Sequence, residues 1–331
     1  MSEILPETLK DPFDRSFRYL RLSVTKRCNF NCTYCLPNGS TRVARHSELS
    51  VPEISNLVGA LAELGIRKVR LTGGEPTVRA DIVEIARAVR AVPGIRQIAL
   101  TTNGYRLAAL GKDLRDAGVT ALNVSVDSLH RERFHAITGH DRLPEVLSGI
   151  DRALELGFER LKVNVVLLRD INDSEIESFI EWTQGMPISV RFIELMRTGD
   201  NGHLFESRHV SSDSLRKRLE DLGWARERGT PESGPAQEWS HSDHLGRVGV
   251  IAPYSRGFCE TCNRLRITSE GALRLCLFGD SDFSLRSLLQ EPSQREELKQ
   301  VIQELLRRKP SRHLLHEGKF GNVRDLARIG G

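Results

Sequence analysis

Six cysteines fall into two groups of three, and their spacing is the chemically most specific feature of the chain. Cys28, Cys32 and Cys35 form a CxxxCxxC run, Cys28-Asn29-Phe30-Asn31-Cys32-Thr33-Tyr34-Cys35. Cys259 and Cys262 form CxxC, and Cys276 follows after thirteen intervening residues. Soft thiolates suit iron–sulfur clusters. Three thiolates on a four-iron cube leave one iron without a protein ligand, which is what a catalytic centre needs and a closed structural site lacks. The alternatives are zinc sites short of one ligand, or cysteines simply buried. Zinc at the first group would want a nearby histidine, and His46 is eleven residues beyond Cys35.

A second set of chemical residues sits on short apolar runs. Lys68, Arg70 and Thr72 alternate with Val69 and Leu71; Asn123, Ser125 and Asp127 alternate likewise, as do Lys162 and Asn164. Period two puts each set on one face of a strand. Parallel strands covered by helices normally read as nearly continuous apolar runs, so one face of this sheet is expected to be polar and partly cationic. In a barrel that face is the lumen, where ligands of α/β enzymes bind near the strand C-termini; the plainer alternative is a solvated edge. Arg264 and Arg266, two apart on another short strand, point the same way and suit a polyanion such as a triphosphate, with a solvated strand face again the alternative.

The elements that must position these groups are legible from periodicity. Strand-like runs at Tyr19–Thr25, Val69–Thr72, Gln97–Thr102, Ala121–Val126, Leu161–Leu168 and Ile188–Leu195 alternate with amphipathic stretches. In 51–64, Ile54, Leu57, Val58, Leu61 and Leu64 recur at helical spacing, Ser50 can cap the start and Gly65 ends it. Helices at 106–117 and 144–156 close on Gly118 and Gly157. Alternating strands and helices predict parallel βα units, and six in succession predict an open, partial barrel, a (βα)6 TIM-like α/β fold. After about residue 205 the pattern changes to a Gly/Pro/Ser-rich loop at 229–236, short strands at 247–252, 265–268 and 273–275, and a charged helix at 294–308. The expected division is therefore a core at 1–205 and a C-terminal α+β extension at 206–331 that closes the barrel opening.

The bulk numbers exclude little. Lys+Arg is 48 against 44 Asp+Glu, a balance that gives no reason to expect nucleic acid or a membrane as partner. Residues 1–17 contain Pro6 and Pro12 and no apolar core of a secretory leader, and no run reaches the roughly 18 apolar residues of a membrane span. The expected location is the cytoplasm, where thiols stay reduced and available to metals.

The CxxxCxxC run, with Tyr34 before its last cysteine, resembles the signature of the radical S-adenosylmethionine (SAM) superfamily. Leu71-Thr72-Gly73-Gly74-Glu75-Pro76, about 40 residues later, is similar to that superfamily's GGEP motif, and Asn123-Val124-Ser125-Val126-Asp127 resembles its fourth-strand segment. More narrowly, the chain resembles the GTP 3′,8-cyclase family (MoaA), the radical SAM enzymes that open molybdenum cofactor biosynthesis. That resemblance rests on Arg18–Thr25, the GGEP region, Thr101-Thr102-Asn103-Gly104, Lys162-Val163-Asn164, Arg191–Met196, Cys262-Asn263-Arg264-Leu265-Arg266 with Cys276, and the terminal Gly330-Gly331. Leu36 stands where the family often has Met, and Ala327-Arg328-Ile329 matches the usual tail only in part.

The resemblance implies two [4Fe–4S] clusters, one on Cys28, Cys32 and Cys35 with SAM on its open iron, the other on Cys259, Cys262 and Cys276 facing the guanine of GTP. Tyr34, Gly74, Ser125 and Met196 would line the SAM site. Arg21, Lys68, Arg70, Thr101, Lys162, Arg191, Arg264, Leu265 and Arg266 would contact GTP. Arg21, Arg264, Arg266 and the Gly330-Gly331 tail would serve catalysis. The adenosyl radical would take H3′ from GTP, and the C3′ radical would close on guanine C8. A low-potential donor such as flavodoxin or ferredoxin would supply electrons, and the product would pass to cyclic pyranopterin monophosphate synthase (MoaC); a homodimer is compatible with this reading. The competing readings are another twin-cluster radical SAM enzyme acting on a peptide, and a non-enzymatic iron–sulfur or zinc module.

Overall fold

The computed structural model describes residues 9–39, 48–230, 233–324 and 326–327. Its frame is a sheet of twelve strands: β1 (Tyr19–Thr25), β2 (Lys68–Gly73), β3 (Gln97–Thr102), β4 (Ala121–Ser125), β5 (Arg160–Leu167), β6 (Ser189–Glu194), β7 (Ala225–Arg226), β8 (Gln237–Ser240), β9 (Arg247–Ile251), β10 (Arg264–Ile267), β11 (Ala272–Arg274) and β12 (Phe283–Ser284). Strands β1 to β6 pair in sequence order, each parallel to the next. The helices are α1 (Val51–Glu63), α2 (Ile82–Ala91), α3 (Leu107–Asp116), α4 (Arg131–Thr138), α5 (Leu143–Glu155), α6 (Ile176–Gly185), α7 (Gly202–Arg208), α8 (Asp213–Asp221) and α9 (Arg295–Leu306). The six-unit α/β core expected from periodicity is present, with boundaries shifted by a residue or two.

The C-terminal part does more than cover an opening. Strand β10 pairs parallel to β1, and β9 parallel to β6. The sheet order is β12-β11-β10-β1-β2-β3-β4-β5-β6-β9-β8-β7. Without β9 and β10 the outer strands of the six-strand core would present a row of unpaired backbone groups. Each edge ends in antiparallel strands, β11 and β12 on one side, β8 and β7 on the other.

The period-two pattern sorts the two faces. Leu20, Leu22, Val24, Val69, Leu71, Ile98, Leu100, Leu122, Val124, Leu161, Val163, Val190, Phe192, Val248, Leu265 and Ile267 join one apolar core with the buried sides of the helices. The alternate positions carry Tyr19, Arg21, Lys68, Arg70, Asn123, Lys162, Arg191, Arg264 and Arg266. Those cations are not on a solvated edge: Arg21 is 7% exposed, Arg70 6% and Arg191 4%. The polar face is an interior surface.

Helix α1 ties the core to the C-terminal part. Ser50 and Glu53 form a reciprocal capping box at its start. The Glu53 carboxylate also accepts from Arg286 at 3.0 Å and Gln290 at 3.0 Å. Burial by itself would raise the Glu53 pKa, but the Ser50 backbone N–H, Gln290 and Arg286 bring it from 4.5 down to about 2. A carboxyl depressed in the folded state stabilises above its unfolded pKa and loses that stabilisation as pH falls through its folded one. Glu53→Gln should therefore cost about 1–3 kcal/mol at neutral pH, and the gap from wild type should close as pH drops from 4.5 toward 2; urea unfolding at several pH values measures it.

Candidate functional site

The first cysteine loop leaves the C-terminal end of β1 and is held by backbone on two sides. Gly74 N–H donates to Thr25 O at 2.9 Å, and Glu75 N–H to Arg27 O at 2.8 Å. This approach needs glycine: a Cβ on Gly73, at φ +135°, would sit 2.2 Å from Thr25 O, and one on Gly74 2.2 Å from Arg27 O. Farther along, Asn31 and Thr33 donate their N–H groups to the Thr138 and Ile137 carbonyls at the end of α4, at 3.0 and 2.9 Å. Phe30 stacks on His140 with ring centroids 5.2 Å apart.

Glu75 of the GGEP segment turns that contact into a lock. Its buried carboxylate accepts from Thr77 N (3.0 Å), Thr77 Oγ1 (2.6 Å), Thr102 Oγ1 (2.8 Å) and Asn103 N (2.6 Å). Asn103 Nδ2 in turn donates to Asn29 Oδ1 at 2.8 Å. The ends of β2 and β3 are thereby fixed to the cysteine loop. On the opposite side, Tyr34 donates its hydroxyl to Asp127 at 2.8 Å, and Asp127 also accepts from Val166 N at 2.8 Å. Burial raises the Asp127 pKa to about 6, against these two donors.

Of the residues expected to line a SAM site, Gly74 and Tyr34 belong to this loop assembly, and Ser125 ends β4 next to Asn164 of β5. Met196 follows β6, and its carbonyl accepts from Asn201 Nδ2 at 3.0 Å. The same Asn201 amide reaches Tyr34 O at 3.2 Å. This fully buried asparagine joins the cysteine loop to the segment after β6. Sequence reasoning missed it, because nothing in its neighbourhood marks it apart from a turn residue.

The cations expected for GTP converge on the polar face. Register places Arg70, Arg21 and Arg266 side by side on β2, β1 and β10, with Lys68, Tyr19 and Arg264 in the next row. Lys68 Nζ lies 4.8 Å from the Tyr19 ring centroid and the Arg70 guanidinium 5.6 Å. Arg70 donates to Thr101 Oγ1 at 3.4 Å. Mutual repulsion and burial show in the titration. Burial, then Arg266, hold Arg21 well below the ordinary arginine value. Burial brings Lys68 to about 8, with Arg70 and Arg191 contributing. Lys162 falls to about 6, chiefly through burial and Arg191. Arg70 Nε, Asn123 Oδ1 and Asn164 Oδ1 are buried without a hydrogen-bond partner. A polyanion bearing hydroxyls would satisfy both the charge and these atoms.

Two details depart from the simple picture of that list. Leu265 faces the other way, its fully buried side chain packed in the apolar core, so only its backbone is on the side of Arg264 and Arg266. Arg191 already has a counter-ion, unforeseen from the sequence: Glu238 of β8 accepts from its Nε at 2.9 Å and from Nη2. Glu238 also lies 4.0 Å from Lys162 Nζ. Burial opposes its ionisation, but Arg191 and Lys162 hold its pKa near about 2.

The second cysteine group lies beside the β10 arginines, so that Arg266 feels the charges of Cys262 and Cys276. The two groups differ electrically. Burial, then Glu75, push Cys28 up to about 11, and Cys32 is raised well above the usual thiol value by burial, Asp127, Cys35 and Cys28. Burial also works against Cys262, yet Arg264 and Lys309 bring it down to about 6. Among the described residues no trio of His, Cys, Asp or Glu is placed to hold a single metal ion. Within each set the cysteines feel one another's charge, and three thiolates on an iron–sulfur cube would leave one iron open. At the first set a cationic cluster core would supply the positive charge that the named neighbours withhold.

A small apolar cluster joins both groups. Phe278, Leu315, Val323 and Leu326 pack together against Cys35, Met196, Tyr254 and Cys276. The C-terminal segment is tethered there, with Gly199 and Asp200 donating N–H to the Val323 and Arg324 carbonyls at 2.8 and 3.0 Å. The expected Gly330-Gly331 contribution lies outside the described residues.

Comparison with known proteins agrees with this geometry at two levels. The profile of the Radical SAM superfamily matches residues 22–183, and the profile described as Molybdenum Cofactor Synthesis C matches 188–315. In fold the chain is similar to Streptococcus suis SuiB bound to S-adenosylmethionine, with a TM-score of 0.61 over 94% of this chain and 77% of that one, at 14% identity. The fold and site thus define the class, a radical SAM enzyme. A GTP 3′,8-cyclase from Yersinia pestis is 49% identical over 323 residues, covering 98% of this chain and 99% of the relative. One from Vibrio atlanticus (strain LGP32) is 49% identical over 327 residues, covering 98% of each. The chain belongs to the GTP 3′,8-cyclase family.

Removing the Tyr34 hydroxyl should leave Asp127 short of a donor in a dry site. Tyr34→Phe is expected to lower stability by about 1–2 kcal/mol and to speed iron loss from the first cysteine group under a chelator, with iron at the second group retained.

Proposed function

We propose that this chain catalyses the conversion of GTP to 3′,8-cyclo-7,8-dihydro-GTP, the lyase reaction that begins molybdenum cofactor biosynthesis. The observation that carries the proposal is the buried cationic face running from β10 across β1 and β2, with one cysteine triplet beside β10 and the other at the ends of the strands. Cys28, Cys32 and Cys35 would hold one [4Fe–4S] cluster and Cys259, Cys262 and Cys276 a second. With SAM bound at the first, that cluster would supply the electron for the one-electron cleavage of SAM that makes hydrogen abstraction possible.

The side chains then bind and orient. Arg21, Arg70, Arg264 and Arg266, assisted by Lys68, Lys162 and Thr101, neutralise the triphosphate and fix where the ribose lies. Arg191, paired to Glu238, supports that wall. Gly74, Ser125, Met196 and Tyr34 shape the SAM side. Placement matters most, because a shift of about 1 Å can cost on the order of 100-fold in rate. The apolar cluster that packs against Cys35 and Cys276 helps keep water from this end of the site. In this reading residues 1–205 form the SAM-cleaving core and 206–331 the C-terminal domain that carries the second cluster and the Gly330-Gly331 tail, with GTP held between the two. A low-potential flavodoxin or ferredoxin supplies electrons in the cytoplasm, and the product goes to a cyclic pyranopterin monophosphate synthase. A homodimer is compatible with this scheme. Among the described residues no helix is long and apolar enough to cross a membrane.

Anaerobic enzyme with reconstituted iron, SAM, dithionite and GTP should yield 5′-deoxyadenosine and a cyclised nucleotide by mass spectrometry. 5′-Deoxyadenosine without GTP turnover would refute the substrate. Cys28→Ala should abolish SAM cleavage altogether. Arg266→Ala should weaken GTP binding by roughly 10–100-fold, the worth of one charged hydrogen bond, while retaining SAM cleavage.

Lys162 adds a pH signature. It faces Arg191, Arg70, Lys68 and Glu238, and its pKa near 6 leaves it largely neutral at pH 7.5 in the free protein. A bound polyanion favours the charged form, so binding takes up a proton. GTP affinity should fall as pH rises from 6 to 8, and titration calorimetry in buffers of different ionisation enthalpy should register proton uptake that Lys162→Met reduces.

A further inference from the structure

Beside the second cysteine group the chain buries two more positive charges that neither the SAM nor the GTP reading uses. Arg15 is paired to Asp11 at 2.6 Å. Its guanidinium donates to the carbonyls of Cys259 (3.0 Å), Pro310 (2.7 Å) and Ser311 (2.7 Å). Every named hydrogen bond of Arg15 goes to a carboxylate or a carbonyl, so its work is to staple residues 310–311 onto the CxxC arm. Lys309, immediately before Pro310, is different. It is 4% exposed and sits over the Phe17 ring, 5.3 Å from the centroid. Its ammonium donates to the carbonyl of Leu275, the residue next to Cys276. Among the described residues no carboxylate is hydrogen-bonded or ion-paired to it, and the charged groups named around it are the sulfurs of Cys262 and Cys276 and the cations Arg15 and Arg264.

A buried ammonium without a carboxylate is costly. The cost is recovered only if the negative partner is the thiolate pair, or a cluster held by it. The two arms of the site meet at this segment: Lys309 donates to Leu275 O beside Cys276, while Arg15 ties the carbonyls of Pro310 and Ser311 to that of Cys259 in the CxxC arm. Helix α9 brings Lys309 there from a distant part of the sequence, since Lys309 N–H still bonds to Leu306 O at 3.0 Å at the helix end.

We propose that Lys309 is a positioning residue for the second iron–sulfur cluster, holding the Cys276 arm closed on the CxxC arm and setting that cluster's reduction potential through its fixed positive charge. This rests on the two-cluster reading above. The sign follows from Coulomb's law: a reduced cluster carries one more negative charge than an oxidised one, so a nearby cation favours reduction. Taking the charge away makes the second cluster harder to reduce and leaves the first, on the other cysteine loop, unchanged.

The test uses anaerobically reconstituted full-length wild type, Lys309→Met and Lys309→Arg, without GTP. Iron and sulfide are assayed, and both clusters are followed by redox titration with electron paramagnetic resonance. Matching proteins with Cys28, Cys32 and Cys35 replaced by Ala identify the second cluster's signal. Wild type should bind about eight irons per chain, four for each cube; a value near four would overturn the two-cluster reading itself. With that satisfied, Lys309→Met should shift the second midpoint to more negative potential or lose that cluster's iron, with Lys309→Arg close to wild type. Full iron and an unmoved second midpoint in Lys309→Met would overturn the role of Lys309, as would equal loss of iron in the Met and Arg variants.

Discussion

Everything in this structure is arranged around positive charges held in register on a largely buried surface. Arg70, Arg21 and Arg266 stand opposite one another across three parallel strands, with Lys68 and Arg264 in the adjoining row. Like charges directly opposite on a sheet repel, and burial deepens the cost. The lowered pKa values of Arg21, Lys68 and Lys162 express that strain in chemical form. A protein selected only for stability would not keep such an arrangement. The other face of the same strands compensates with an uninterrupted apolar core against the helices. The strands thus carry stability on one side and electrostatic strain on the other.

A polyanion relieves that strain, and the fold supplies only a little relief of its own. Glu238 neutralises Arg191 and reaches toward Lys162. It enters from β8 because Gly249, its partner on β9, has no side chain; a Cβ there would come within 3.0 Å of Arg191 Cγ. One wall of the lumen is therefore balanced internally, while the cations of β1, β2 and β10 are crowded side by side.

The two cysteine groups sit in different electrical surroundings, although burial raises Cys259 of the second group as it does Cys28 and Cys32 of the first. Around the first, the nearby ionisable groups are Glu75, Asp127 and its own thiols, a setting that favours the positive charge of a metal core. Around the second, Arg264 and Lys309 draw down the Cys262 thiol despite burial. The apolar cluster of Phe278, Leu315, Val323 and Leu326 touches a cysteine of each group.

How much of this was legible without coordinates depends on the range over which each feature is encoded. The cysteine spacing, the GGEP glycines, the helix caps and the period-two alternation of cations and apolar residues are local, and each was visible in the sequence; the α/β core followed from them. Tertiary structure alone decided that β9 and β10 would seal the two edges of the core, because pairing partners more than fifty residues apart leave no local trace. It alone decided that Glu238 answers Arg191, and that Asn201 and Lys309 lock loops far from them in sequence. A lone asparagine, glutamate or lysine looks like any surface residue until the chain folds. Its role comes from which buried groups end up within hydrogen-bonding reach, and that is a property of packing rather than of order along the chain.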